Sequence, residues 1–291
     1  MSDRLSFVHL TDLHFSALGT AEPTLLTYPT AALHASFAAI ARLPTPPAFI
    51  AISGDLSEKG NEADYHALKA LLDALAGPTP VVLALGNHDR RESFYTAFGD
   101  AAGADLSAPY DHDRVIADLH VITLDSSIPG RVGGGLDAGQ IDWLRDRLAA
   151  HADCRKLLMV HHSPLFDAER TDAWDRLDAA STAALQQAIA GHDVVGILSG
   201  HVHREEVTNW HGVPVIVGLG HHAATNPLAP GEEIQLIDAT GLTLCTLRAC
   251  GLGVTFVPHP QDRRPLRTIP TAVIMAHDAA MRAAGAPGDV S

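Results

Sequence analysis

Cysteine, positive charge and long apolar runs are all scarce in this chain, and each scarcity removes a class of function. There are three cysteines in 291 residues, Cys154, Cys245 and Cys250, an odd number without the paired spacing of a thiolate metal site. They are expected to be buried, reduced thiols in a reducing compartment, which excludes a disulfide framework. Lys and Arg number 20 against 34 Asp and Glu, a formal net charge of −14. Nucleic-acid polymers and anionic membranes bind through clustered cations, so neither is an expected partner. A protein this acidic that acts on an anion needs a local cation. The N-terminal "MSDRLSFVHLTDLH" interrupts its apolar run too early for a secretory signal or a membrane span, so a cytoplasmic location is expected. No internal repeat or low-complexity tract is present.

What the chain does have is enough apolar content, 46%, to bury one large core, and an unusual number of histidines, 18. Short apolar runs recur, and most end in a polar cluster: "LSFVHLTDLH", "AFIAISGDL", "PVVLALGNHD", "HVITLDSS", "KLLMVHHSP" and "VVGILSGHVH". Their length and β-branched content predict buried strands. Between them, helical spacing predicts a helix in "NEADYHALKALLDAL", with Asn61 and Asp64 placed like a capping pair. The same spacing predicts helices at roughly 30–43, 138–150 and 178–190. Strands alternating with helices make the protein α/β. After Gly212, shorter strands with turn signals predict added antiparallel pairing. The catalytic domain is expected over residues 1–258, followed by a C-terminal extension, 259–291, that packs on the body or on a second copy in a homodimer.

In α/β sheets the ends of neighbouring strands converge on one crevice. Collecting the polar clusters at those ends gives Asp12-Leu13-His14, Gly54-Asp55, Gly86-Asn87-His88-Asp89, His161-His162 and Gly200-His201-Val202-His203. Imidazole with carboxylate suits Zn, Fe, Mn or Ni, and the ligands are too many for one tetrahedral ion. Two ions sharing a carboxylate fit better. In extended backbone, residues i and i+2 point the same way, so Asp12 with His14, and His201 with His203, are predicted to reach one site.

The ordered blocks D-x-H, GD, GNHD, HH-x-P and GHxH resemble the calcineurin-like metallophosphoesterases. The text "DSSIPGRVGGGLDAGQIDWL", followed by "HHSP" and "GHVHR", is most similar to the bacterial class III cyclic nucleotide phosphodiesterases and the related glycerophosphodiesterases. The resemblance covers about residues 5 to 220, and five blocks in order are far more specific than one. It implies two packed mixed β-sheets flanked by helices, a four-layer sandwich. It implies a first metal held by Asp12, His14, Asp55 and His203, and a second held by Asp55, Asn87, His161 and His201. The pair would be Fe/Mn, Mn/Mn, Zn/Zn or Fe/Zn, with Asp55 bridging ions roughly 3.5–4 Å apart. A hydroxide formed from water whose pKa falls to about 7 between such ions would attack phosphorus in line with the leaving oxygen. His88 would stabilise the transition-state charge and protonate the leaving group, with Asp89 orienting its ring or the turn. Asn87, His88 and His203 are the expected substrate contacts.

Several residues carry blander readings. One of His161 and His162 must point away from the site in an extended segment, and the family register favours His161 as ligand. His221 and His222 divide evenly between pocket lining and ordinary loop positions, and His112 reads as part of a solvated charged loop. Arg91 reads as structural pairing. Gly133, Gly134 and Gly135 lack the Lys-Ser/Thr of a phosphate-binding loop and read as a flexible loop at the site rim. The expected activity is dinuclear metal-dependent hydrolysis of a small phosphodiester, a cyclic nucleotide such as cyclic AMP or a glycerophosphodiester. The alternatives are a broad-specificity phosphomonoesterase, for which Arg90, Arg91 or Arg131 would have to turn inward, and a non-catalytic interaction scaffold. Substrate selection is expected from rim regions such as 15–30, 164–178 and 221–231.

Overall fold

Among the described residues, strands and helices alternate as far as Ser199, and a run of strands and one last helix follow. A computed structural model describes residues 4–99, 105–167, 169–170, 173–229, 233–259 and 265–285. In order these are β1 (Arg4–Leu10), α1 (Pro29–Ile40), β2 (Ile50–Ser53), α2 (Glu62–Ala76), β3 (Val81–Ala84), α3 (Arg91–Phe98), β4 (His112–Ile116), β5 (Leu119–Leu124), α4 (Ala138–Ala149) and β6 (Arg155–Val160). There follow α5 (Ala179–Ile189), β7 (Val194–Ser199), β8 (Glu206–Trp210), β9 (Val213–Val217), β10 (Ala224–Thr225), β11 (Glu233–Ile237), β12 (Gly241–Arg248), β13 (Gly251–Pro258), β14 (Pro265–Pro270) and α6 (Thr271–Gly285).

The strands form three sheets, ordered β13-β12-β1-β2-β3, β4-β5-β6-β7-β9-β8 and β10-β11-β14. In the first, β1, β2 and β3 run parallel and β12 joins β1 antiparallel. In the second, β5, β6, β7 and β9 run parallel, with β4 and β8 antiparallel at the edges. The expected pair of mixed sheets flanked by helices is therefore present.

Side-chain alternation explains the layers. Along β1, Phe7 packs with Phe49, Val121, Met159 and Ile216 in a core between the two large sheets, while Val8 and Leu10 join Leu33, Tyr65 and Phe94 beneath α1, α2 and α3. Along β6, Leu157 and Met159 face the same inter-sheet core. Leu158 and Val160 pack outward on Leu144 and Leu185 of α4 and α5. A strand buried on both faces reads as a continuous apolar run, which is how these strands look in the sequence.

The helices α1, α2, α4 and α5 fall close to their predicted spans. The capping expectation at Asn61 does not hold: its side chain makes no cap hydrogen bond. Asp64 instead accepts from the Ala17 amide at 2.8 Å and the Ser57 hydroxyl at 3.2 Å, bracing two loops of the site. A true capping box stands at the start of α4, between Asp137 and Gln140. The cysteines are free, but only Cys245 is buried; Cys154 is half-buried and Cys250 exposed. Burial in apolar surroundings pushes the Cys245 thiol up to about 12, leaving it inert. Residues 265–270 form β14, which pairs antiparallel with β11. Asp278 of α6 accepts from the Val132 amide at 3.2 Å, joining that helix to the body. None of the helices, among the described residues, is long and apolar enough to cross a membrane.

Candidate metal centre and active site

The residues Asp12, Asp55, Asn87, His161 and His201 each lie one to three positions past the C-terminal end of a strand, β1, β2, β3, β6 and β7 respectively. All five strands lie in the parallel cores of the two large sheets, so their ends meet at one edge of the sandwich. Side-chain ligand atoms of Asp12, His14 and His203 lie within 4.8 Å of one another, as do those of Asp12, Asp55 and His161, and those of His14, Asp55 and His88. Glycine makes this crowding feasible. A Cβ at Gly86 would collide with Asp55 Oδ1 and His161 Nε2, and one at Gly200 with Thr11 Oγ1 and Asp12 Oδ2.

The extended i, i+2 reading of Asp12/His14 and His201/His203 is corrected by the backbone. Their φ values are +50°, +42°, +72° and +47°, and that of Asp55 is +48°. These are left-handed conformations, which L-residues adopt only when surrounding structure imposes them. Two tight left-handed turns bring each pair of side chains together, while Leu13 and Val202 between them are buried.

Each candidate histidine ligand is oriented from behind. His161 Nδ1 donates to Ser53 O at 2.8 Å, His203 Nδ1 to Ala223 O at 2.6 Å and His14 Nδ1 to the Glu58 carboxylate at 2.8 Å. His201 uses its other nitrogen, Nε2, which donates to Trp174 O at 3.0 Å. These bonds fix the neutral tautomers and leave Nε2 of His14, His161 and His203, and Nδ1 of His201, as lone-pair atoms.

Three of those atoms converge on the carboxylates. His14 Nε2 and His203 Nε2 face each other at 3.1 Å, with His203 Nε2 3.2 Å from Asp12 Oδ1 and His14 Nε2 3.7 Å from Asp55 Oδ2. His161 Nε2 lies 3.3 Å from Asp55 Oδ2 but makes no hydrogen bond, and Asn87 Oδ1 is buried with none. Buried acceptors left unpaired are costly, and bound metal would satisfy them. Burial lowers the pKa of every candidate ligand histidine, and the carboxylates outweigh it only at His161 and His203. Burial lowers His161, but Asp55 and Asp12 outweigh it and raise the imidazole to about 9. Burial would raise Asp55, yet His161 and His88 hold it well below the usual carboxylate range. The donor set, nitrogen and oxygen without sulfur, fits the divalent transition metals.

His88 lies half-buried at the mouth. Its Nδ1 donates to Glu58 O at 3.0 Å, its amide donates to Asp55 Oδ1 at 2.9 Å, and its ring meets His14 edge-on at 4.6 Å between centroids. Burial lowers its pKa, but Asp55 and Glu58 outweigh this and raise it, which favours the protonated ring. Asp89 does not touch that ring. Its carboxylate accepts from the Leu56, Ser57 and Gly86 amides and from the Tyr65 hydroxyl, at 2.8–3.2 Å. It holds the turn, and the ring is oriented by Glu58.

Glu58 is the residue that sequence reasoning missed. One carboxylate oxygen accepts from His14 and the other from Thr24 Oγ1 at 2.6 Å. Burial would raise its pKa, but the His14 and Thr24 hydrogen bonds lower it to about 2. The available signal was an acidic residue three positions past Asp55 in "GDLSEKG".

The ambiguous residues resolve. His162 Nε2 donates to Val132 O at 2.9 Å and its Nδ1 meets Ser126 Oγ at 2.8 Å, so no lone pair is free for metal. His221 is buried between Ser36 Oγ and Thr11 O. His222 Nε2 accepts from the Leu26 amide at 2.8 Å, with its ring 5.4 Å from that of His14. His112 is not in a solvated loop: it begins β4, and Nε2 donates to Leu83 O at 2.8 Å. Arg91 pairs with Asp125 at 2.7 Å and donates to Ser127 O. The glycine run is not a free loop either. Gly134 and Gly135 donate to Arg176 O and Ser126 O, and a Cβ at Gly134 would strike the His162 ring.

The family model for the calcineurin-like phosphoesterases matches residues 5–205, which include every one of these strand ends. The chain belongs to the calcineurin-like phosphoesterase family. It is a metal-dependent phosphoric ester hydrolase of that family. Among similar phosphoesterases is a probable cyclic nucleotide phosphodiesterase of Rhodococcus erythropolis, 32% identical over 214 residues, 72% of this chain and 68% of that protein. A cAMP/cGMP dual specificity phosphodiesterase of Mycobacterium tuberculosis is 34% identical over 173 residues, 59% of this chain and 53% of the other. The chain thus spans about half the length of that relative. Among solved structures, a dimetal phosphatase from Danio rerio shares the fold with a TM-score of 0.59 and 16% identity, covering 88% of this chain and 99% of that one.

Proposed function

We propose that this phosphoesterase is a dinuclear phosphodiesterase of small substrates, with a cyclic nucleotide as the favoured substrate. The observation that carries the reading is the set of convergent, inward-facing atoms: His14 and His203 Nε2 in mutual contact, and His161 Nε2 and Asn87 Oδ1 without hydrogen-bond partners. Asp12, His14, Asp55 and His203 would hold one ion, and Asp55, Asn87, His161 and His201 the other. Two ions so held supply a nucleophile from water at neutral pH and neutralise the phosphate. The names of the cyclic nucleotide phosphodiesterases among the relatives support the substrate class.

The chain's own residues do the rest. Asn87 is a neutral donor where a third carboxylate would cancel the charge that the phosphate feels. His88, held by Glu58 O with Nε2 directed elsewhere, is placed to stabilise a pentacovalent phosphorus and to give its proton to the leaving oxygen. Asn87, His88 and His203 line a cavity of about 440 Å³ that also borders Asp55, within the range of small-molecule sites.

The phosphomonoesterase reading is weakened because Arg91, which borders a cavity with Asn87 and His88, already has its charge met by Asp125 and donates to Ser127 O. The scaffold reading is weakened because every ligand and His88 are present. Turnover of cyclic AMP, glycerophosphocholine and a matched chromogenic diester and monoester, by protein loaded separately with Mn, Zn and Fe, tests the proposal. Diester hydrolysis exceeding monoester hydrolysis supports it, and turnover of the monoester alone overturns it.

A further inference from the structure

The cavity beside the candidate metal ligands is lined by two chemically unlike sets of residues. Asp55, Asn87, His201 and His203 form one. The apolar Trp174, Ile234, Ile269 and Ile274 form the other, and Asp175, Arg204, Thr225 and Glu233 also line the cavity. The isoleucines come from the C-terminal part of the chain, beyond the residues 5–205 that match the family model. Ile234 of β11 and Ile269 of β14 are direct cross-strand partners, so their side chains share one face of the small sheet. The helix α6 adds Ile274 and is fixed to the body through Asp278, which accepts from the Val132 amide at 3.2 Å and pairs with Arg282 at 2.7 Å. The Val132 carbonyl in turn accepts a hydrogen bond from His162 Nε2, so the wall is tied to the sheet that carries His161.

We infer that β11, β14 and the start of α6 form a nucleobase-binding wall that selects the substrate at this site, an inference that rests on the phosphodiesterase reading above. A phosphate at the metal end places whatever it carries against the isoleucines and Trp174. A half-buried apolar surface facing a charged one rewards a ligand with a flat, weakly polar body and an anionic end. Glycerophosphodiesters of small amino alcohols have no such body. An alkyl chain would be served by a wholly apolar lining, but Arg204 borders the same cavity. Guanidinium N–H groups can donate to the acceptors of a base edge and not to a hydrocarbon.

The test compares the metal-loaded wild type with the variants Ile269→Ser, Ile274→Ser and Asp278→Ala in two readouts. In the first, the ratio of kcat/KM for cyclic AMP to that for glycerophosphoethanolamine should fall at least tenfold in each variant, mainly through KM. Equal losses on both substrates, or an unchanged ratio, overturn the inference. In the second, equilibrium dialysis measures binding of adenosine 5′-monophosphate against inorganic phosphate. The wild type should bind the nucleotide at least tenfold more tightly than phosphate, and the variants should lose that margin. Equal binding of the two ligands by the wild type, or a preference for an acyl-bearing glycerophosphodiester over cyclic AMP, overturns the inference. Absence of any diester turnover would sink the phosphodiesterase reading alone, because the dialysis comparison still decides whether the wall holds a base.

Discussion

At the residue scale, the site is a set of imidazoles pinned on one nitrogen so that the other is available. His14 is pinned by a side chain, Glu58, whereas His161, His201 and His203 are pinned by main-chain carbonyls. That difference makes Glu58 the one support a substitution can remove. Glu58→Gln is expected to weaken metal affinity or turnover by about 10–100-fold, with metal content per chain, measured after dialysis, falling alongside activity; full metal content and full activity would discard the positioning role. His88 stands apart, since its Nδ1 rests on Glu58 O and its proposed roles are in the chemistry. His88→Ala should keep both ions and lose about 10²–10⁴-fold in kcat, and unchanged turnover with metals retained would remove it from the mechanism. Of these residues, His88 was legible in the sequence because it follows Asn87 in a recognisable block. Glu58 was not, because its importance arises only when the loop after β2 folds back beneath His14.

At the element scale, the design is a row of strand ends finished by sharp left-handed turns. The alternation of apolar and polar residues located those ends correctly, since strands buried on both faces announce themselves as short apolar runs. The turn geometry was not legible: D-x-H and H-x-H read as extended, and only the positive φ values at Asp12, His14, His201 and His203 reveal otherwise. Helix starts show the same limit. Asn61 and Asp64 have the right spacing for a cap, but Asp64 is engaged by Ala17 and Ser57, while Asp137 and Gln140 close a complete box. Asn61→Ala is therefore expected to change stability by less than about 0.5 kcal/mol and Asp137→Ala to lower it by about 1 kcal/mol, compared by urea denaturation; the reverse ranking would contradict the assignment. Asp111 offers a pH test of the loop before β4. Burial pushes its carboxyl up to about 6 even though the Asp125 amide and Gln140 donate to it. The folded state then binds a proton that the unfolded state releases above about pH 4. This contribution is full below that pH and lost as pH rises through about 6. The loss is on the order of 1–3 kcal/mol. Asp111→Asn should flatten the pH dependence of stability between those values, and an unaltered slope would refute the account.

At the scale of the whole molecule, two sheets converge on one edge and place buried, unlike-charged groups together. Asp12 and Asp55 are both buried, and burial would raise their pKa, but His203 and His161 beside them hold both carboxyls low. The four-layer arrangement was legible from the order of strands and helices together with the family resemblance. The role of residues 233–285 was not, because short amphipathic strands and an Ala-rich helix carry no sign of the cavity they border. We propose that the converged strand ends bind two ions and thereby hydrolyse a phosphodiester. A titration of metal-stripped protein with Mn, following bound metal, thermal stability and cyclic AMP hydrolysis in the same samples, tests this. The expected result is saturation at two ions per chain, a rising Tm, and hydrolysis that reaches its maximum only with the second ion, all lost in Asp55→Ala. Saturation at one ion, or hydrolysis independent of added metal, would contradict it.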